Sequence, residues 1–257
     1  MAMIEVRRDG ALALVLLNRT EALNAISTAF AAELAERLRE LGAEPRLRAL
    51  VLASNGGRAF CVGADLKERK GFSDAELYAQ RPVFRELFDA ARELPMPAVA
   101  AVGGYALGGG FELALCCDLI AADANAVFGL PETSVGLVPG GGGTQLLSRR
   151  IGLARAADLL YTGRQIAYAE ACELGLVDQV AKTGASALDA ALELAGTIAA
   201  NSPVALRSAK HALRTGYDLP LAAGLDIEDA AWRQAAFSAD RVEGIQAFAE
   251  KRRPRFE

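Results

Sequence analysis

Eleven of the chain's twenty-five glycines fall between residues 103 and 143. Glycine gives up more backbone freedom on folding than any other residue. Such a concentration therefore points to backbone approaching backbone closely, or to positive φ. Two runs stand out, Gly108-Gly109-Gly110 and Gly140-Gly141-Gly142-Gly143. Gly103 and Gly108 have the spacing of a phosphate loop, but Gly109 and Gly110 stand where lysine and Ser/Thr are required. The second run also lacks the lysine, and no G-x-G-x-x-G follows a strand-like segment. Nucleotide loops are thereby set aside. What remains is an apolar strand over 98–102, a glycine-rich turn over 103–110 and a helix opening near Gly109. A helix N-terminus offers free N–H groups and a positive dipole end, suited to an anion or to a carbonyl oxygen becoming an oxyanion. A tight turn that needs glycine only for packing is the alternative.

Short apolar runs at 11–17, 49–53, 98–102 and 119–122 read as buried strands. Ser27 has the character of an N-cap, followed by Phe30, Leu34, Leu38 and Leu41 at helical spacing. Strands alternating with helices predict an α/β class. Residues 65–93 are mostly polar and helical with a break at Gly71, and read as a mobile segment. Beyond Ile151 nearly every segment is helical. The expected division is an α/β core over 1–185 and a helical region over 186–257. Two apolar stripes in that region (Leu188, Leu192, Leu194, Ile198; Leu219, Leu225, Ile227, Trp232) call for a covering surface.

Among 257 residues, 52% are hydrophobic and 23% charged, which excludes general disorder. The net charge is −4, against the basic face that nucleic acid requires, so no nucleic-acid partner is expected. Cys61, Cys116, Cys117 and Cys172 show no paired spacing, so neither disulfides nor a metal site is expected. The single histidine, His211, lies in a surface-helix pattern, which argues against a histidine-based triad or metal cluster. No segment has the length and apolarity of a membrane span, and the first residues lack the features of a leader; a reducing cytoplasm is the expected setting.

Two isolated acids adjoin the glycine runs. Glu112 sits among apolar neighbours just inside the helix that opens near Gly109. It either satisfies that helix's dipole or serves as a carboxyl group tuned for acid–base work. Glu132 lies in a Gly/Pro-punctuated loop, as a solvated acid or as the second member of a proton-transfer pair. The run Arg58-Ala59-Phe60-Cys61-Val62-Gly63-Ala64-Asp65-Leu66-Lys67 offers a further backbone donor at Gly63–Ala64, with Asp65 placed to cap the next helix. Arg58 and Lys67 are placed to meet phosphate, or are simply a solvated basic pair.

These segments closely resemble the enoyl-CoA hydratase/isomerase, or crotonase, superfamily. The matching runs are Asn18-Arg19 through Ala22-Leu23-Asn24-Ala25, Ala59 through Lys67, Gly104 through Ala114, Cys117-Asp118, Pro131-Glu132, and Gly136 through Gln145, with the ending Lys251 through Phe256. They span nearly the whole chain in order. The resemblance implies a spiral of ββα repeats with a helical C-terminal trimerisation region, assembled as trimers or paired trimers. It implies an oxyanion hole from the N–H groups of Ala64 and Gly109, and acid–base roles for Glu112 and Glu132. Gly140 would help place the attacking water. Coenzyme A would cross the loop at Ala22–Asn24, with Arg19, Arg58, Ala64, Asp65 and Lys67 also in contact. No cofactor is implied, because coenzyme A is part of the substrate. Two retained glutamates favour hydration of a trans-2-enoyl-CoA. Double-bond isomerisation and methylglutaconyl-CoA hydration are the alternatives within the family. A non-catalytic acyl-CoA- or RNA-binding protein is the alternative outside it.

Overall fold

The computed structural model describes residues 2–256. The first part of the chain runs β1 (Ile4–Asp9), β2 (Leu12–Leu17), α1 (Thr28–Gly42), β3 (Ala49–Ser54), β4 (Ala59–Cys61), α2 (Leu66–Arg69) and α3 (Asp74–Arg92). The glycine-rich middle gives β5 (Ala98–Val102), β6 (Tyr105–Leu107), α4 (Gly109–Cys116), β7 (Leu119–Ala122), β8 (Val127–Gly129), α5 (Gly143–Ile151) and α6 (Leu153–Thr162). Then come β9 (Gln165–Ala167), α7 (Tyr168–Glu173), β10 (Gln179–Val180), α8 (Ala187–Ala199), α9 (Pro203–Gly216), α10 (Leu221–Ala236) and α11 (Ala239–Ala249).

The strands form two sheets, ordered β1-β2-β3-β5-β7-β10 and β4-β6-β8-β9. Only β1–β2 and β8–β9 pair antiparallel. From β3 to β8 each turn of the chain gives one strand to the first sheet and the next to the second, then passes through helix; β9 and β10 close the spiral in reverse order, with α7 between them. That is the expected ββα spiral. The expectation of an α/β class holds, and the four strand-like runs match β2, β3, β5 and β7 closely.

The larger sheet is buried on both faces, as parallel sheets require. In β2, Ala13, Val15 and Leu17 face a core shared with α1, α3 and α4, while Leu14 and Leu16 face a second core shared with α8. β3 and β5 alternate in the same way. On α8 the sheet meets Ala187, Ala190, Ala191 and Ala195, whose small side chains let the helix lie close. The sequence asks that the helical region pack on the core or on a partner chain, and α8 packs on the core. The helix over 187–199, assigned by sequence to the helical tail, is part of the α/β body. The stripe Leu188, Leu192, Leu194 and Ile198 is already packed against the chain's own sheet.

The segment over 65–93 differs from expectation. Asp65 caps α2 by accepting from the N–H groups of Lys67 and Glu68, as predicted. Ser73 and Glu76 then form a capping box that starts α3. The far half of α3 puts Phe84, Leu87 and Phe88 into the core. Its polar look reflects one solvated face of an anchored helix. The remaining helices, α9 to α11, stand outside the sheets. Asp118, at the end of α4, ties α9 down by accepting from Lys210 Nζ at 2.6 Å and Arg214 Nη2 at 2.8 Å. His211 is exposed on that helix, as expected.

α4 is buried over Gly110–Cys116, and Gly110 marks its tightest approach. A Cβ there would collide with the carbonyl oxygen of Cys61 in β4, a backbone atom with no room to retreat. Gly110→Ala is therefore expected to cost about 3 kcal/mol or more, at the upper end of overpacking. Denaturant unfolding of the variant beside the parent checks this; a loss under about 1 kcal/mol would show that β4 and α4 can part cheaply.

Candidate active site

The β4–α2 connection and the start of α4 meet face to face. Gly63 has φ +85°, and a Cβ there would lie 2.9 Å from both Gly109 N and Leu107 O. The adjoining peptide is fixed on its other side: Gly63 O accepts from Ile26 N–H at 2.8 Å, and Asp65 N–H donates to Ile26 O at 2.9 Å. The Ala64 N–H between them has no acceptor among the described residues, and neither has the Gly109 N–H in the opening turn of α4. Two free backbone donors thus border one cavity of about 450 Å³, which Glu112 and Glu132 also line.

Glu112 enters this cavity from the first turn of α4, a helix so apolar that its carboxyl group is almost fully buried. Its Oε1 accepts from Gly141 N–H at 2.6 Å and Gly143 N–H at 2.8 Å. Gly143 begins α5, so the carboxylate serves the N-terminus of a second helix, not only of its own. Burial pushes its pKa up. The N–H groups of Gly143, Gly141 and Gly140, and the Arg81 charge, oppose that rise.

Glu132 sits in a short 3₁₀ turn over Pro131–Val135, with Oε1 beside Gly108. Its Oε2 is buried without a hydrogen-bond partner among the described residues. Burial is the main reason its pKa is pushed up to about 7. Its own backbone N–H opposes the rise, and the Glu112 charge adds to it. The two acids therefore occupy contrasting surroundings in one cavity. One is anchored by backbone donors that favour its anion. The other has an orphaned oxygen that favours its acid form near neutral pH.

The residues expected to contact coenzyme A divide. Asn24 is fully buried: its amide donates to Ser54 Oγ and Phe60 O, each at 2.9 Å, and its Oδ1 accepts from Arg19 N–H at 2.8 Å. Its side chain is spent in pinning the 18–25 loop to the end of β3 and to β4. The Asp65 carboxylate is likewise spent, on its helix cap and on Arg19 Nη1 at 2.7 Å. Burial would raise the Asp65 pKa, but Arg19 and the two cap N–H groups bring it below the ordinary value. Arg19 is thus a structural partner of Asp65 and of the Ala25 carbonyl. Ala22 lies in the short turn over 20–22, partly exposed. Arg58 and Lys67 are exposed and in no ion pair with any described residue. None of Arg19, Ala22, Arg58 or Lys67 lines the cavity itself.

Three features escaped sequence reading. The donors of Gly141 and Gly143 were hidden in a run tested only for a phosphate loop and for Gly140. Gly140 instead gives its carbonyl to Arg81 Nη2 at 2.7 Å. Arg69 and Arg81, on α2 and α3, both line the cavity; nothing in a polar segment marks which side chains turn inward.

The titration has a stability signature. In the fold Glu132 ionises near 7, against 4.5 ordinarily. The proton-bound form adds stability that is complete at low pH and lost as pH rises through the folded value. Glu132→Gln cannot ionise. Its thermal stability relative to the parent is expected to improve between about pH 4.5 and 7 and then level off. Parallel melts across that range check the sign; a lead that shrinks with rising pH would show the carboxylate to be stabilised instead.

Comparisons with known proteins identify the family. The enoyl-CoA hydratase/isomerase family profile matches residues 7–257. A mouse mitochondrial enoyl-CoA hydratase domain-containing protein 2 is 44% identical over 247 residues, covering 94% of this chain and 83% of its own. The mouse mitochondrial methylglutaconyl-CoA hydratase is 39% identical, covering 93% and 77%. The crystal structure of an enoyl-CoA hydratase from Bacillus anthracis superposes with a TM-score of 0.96 at 40% identity, over 99% of both chains. The chain belongs to the enoyl-CoA hydratase/isomerase family, within the crotonase superfamily.

Proposed function

We propose that the protein is an enoyl-CoA hydratase. It adds water, in syn fashion, across the double bond of a trans-2-enoyl-CoA to give a 3-hydroxyacyl-CoA, in fatty-acid β-oxidation or related acyl-CoA catabolism. The observation that carries this reading is the presence of two carboxyl groups, one anchored by backbone donors and one with an orphaned oxygen, in one cavity with two unused backbone donors.

The thioester carbonyl oxygen accepts from the Ala64 and Gly109 N–H groups. Charge that gathers on this oxygen as water attacks C3 is met by donors already in place. Each such donor is worth roughly 2.7–4 kcal/mol in comparable sites. Glu112 takes a proton from the attacking water, whose oxygen bonds to C3. Glu132 gives its proton to C2. A proton passed from Glu112 back to Glu132, directly or through solvent, resets the pair. Gly140 lies beside the water's path. Its carbonyl is held by Arg81, so any help it gives comes from its N–H side. Arg58 and Lys67, exposed and unpaired, are suited to the phosphates of coenzyme A.

Loss of the conjugated enoyl absorbance of crotonyl-CoA is the direct test. Glu112→Gln and Glu132→Gln should each fold and lose about 10²–10⁴ in hydration rate. The double variant should be far less than the product of the two, because both groups act in one transition state. Near-parental hydration by Glu132→Gln would leave a site that needs one carboxyl group, as double-bond isomerisation does.

We also propose a cytoplasmic homotrimer or dimer of trimers. Its support is the uncovered apolar surface of α9 to α11, where Leu213, Tyr217, Leu225, Trp232, Phe237 and Phe248 are all more than half exposed. Light scattering at micromolar concentration should give three or six chains; a monomer would contradict it.

A further inference from the structure

The cavity is not wholly apolar. Beside Leu66, Leu77 and Val135 it is lined by two guanidinium groups, those of Arg69 and Arg81. Arg69 is partly buried and lies over the Phe84 ring, 4.8 Å from its centroid. Its Nε donates to Gln80 Oε1 at 2.9 Å. Gln80 is itself buried and held by Thr28 Oγ1 at 2.7 Å and Glu68 Oε2 at 3.0 Å. The guanidinium is thus aimed by a built support, while its outer nitrogens have no acceptor among the described residues. Arg81 gives one N–H to the Gly140 carbonyl and likewise forms no ion pair with a described residue.

A cation beside apolar walls costs desolvation unless an anion meets it. Burial pushes the Arg69 pKa down; the Glu68 charge opposes that fall, and the neighbouring Arg81 charge adds to it. An anion between the two would relieve both penalties. The acids within the cavity, Glu112 and Glu132, are not in ion-pair contact with either arginine.

We propose that the acyl pocket selects thioesters whose acyl chain ends in a carboxylate, bound between the guanidinium groups of Arg69 and Arg81. The chain must be short. Arg81 holds the carbonyl of Gly140, and the next residue's N–H holds Glu112, so the cationic end lies close to the reacting carbons. The substrate class is the monothioester of a short unsaturated dicarboxylic acid. This rests on reading the site as one for enoyl thioesters, and the test separates the two.

The test is titration calorimetry with two saturated, unreactive ligands, glutaryl-CoA and its terminal amide, glutaramoyl-CoA. They share an outline and differ in charge. The carboxylate is expected to bind at least about tenfold tighter, a modest return for charge-assisted contacts. The preference should fall to about twofold or less in Arg69→Gln/Arg81→Gln. Equal binding of both ligands to the parent protein overturns the proposal without recourse to any variant. So does a preference that survives in the double variant. Because neither ligand turns over, a retained preference with no hydration of crotonyl-CoA would overturn only the hydratase reading; hydration without preference would overturn only this one.

Discussion

The contact on which the site depends is the acceptance of two backbone N–H groups, those of Gly141 and Gly143, by one oxygen of Glu112. It joins the helix that follows the first glycine run to the loop formed by the second. Without the carboxylate, two buried donors at the head of α5 would lose their partner, each at a cost of about 1–3 kcal/mol. Without the donors, an ionised carboxyl group inside an apolar helix would not be tolerated. The group proposed for chemistry is therefore also the group that fixes the loop. The helix-dipole role left open by sequence is met at the head of α5, and it leaves the proposed acid–base role open to the same side chain.

The glycine density follows from the same constraint. A site whose donors are backbone atoms must bring three chain segments within hydrogen-bonding reach of one small volume. Gly104 and Gly110 are where backbone approaches backbone most closely, against Arg58 in one case and Cys61 in the other, and Gly63 meets Leu107 and Gly109 at the cavity. The ββα spiral makes this possible. Consecutive turns place β4, β6 and β8 side by side, so the connections after each strand open into the same cavity. Neither donor needs a particular side chain, which leaves the acyl pocket free to be lined from α2, α3 and the turn after Glu132.

Much of this was legible in the sequence, for physical reasons. β2, β3, β5 and β7 are buried on both faces and so read as unbroken apolar runs. The strands of the second sheet, three residues each, are too short to show any period, and β4, β6, β8 and β9 went unread. α3 was misjudged because its solvated face supplies most of its residues, while Phe84, Leu87 and Phe88 carry its anchorage. The paired glutamates and the Ala64 and Gly109 positions stood out because lone acids and clustered glycines are costly without a use. Asn24 and Asp65 were read for coenzyme A, and their side chains are taken up by the surrounding backbone, Ser54 and Arg19. A polar residue in a ligand-binding motif serves the loop's own backbone as readily as the ligand, and sequence does not separate the two.

The two arginines complete the electrostatics of the cavity. Glu112 has backbone donors for its anion; Glu132 has an oxygen with none. Ionising both at once is opposed, since the Glu112 charge raises the Glu132 pKa. Arg81 acts in the opposite sense on Glu112, from beyond the Gly140 carbonyl. Its charge favours the anion of the anchored acid and leaves the orphaned one to hold its proton. In the proposed reaction, the same cation that lines the cavity thus helps set Glu112 as base and Glu132 as acid. A carboxylate brought in by the substrate would partly neutralise Arg81 and weaken that support. The stable arrangement then needs a second cation to carry the incoming charge, and Arg69, stacked on Phe84 and held by Gln80, is in position to take it.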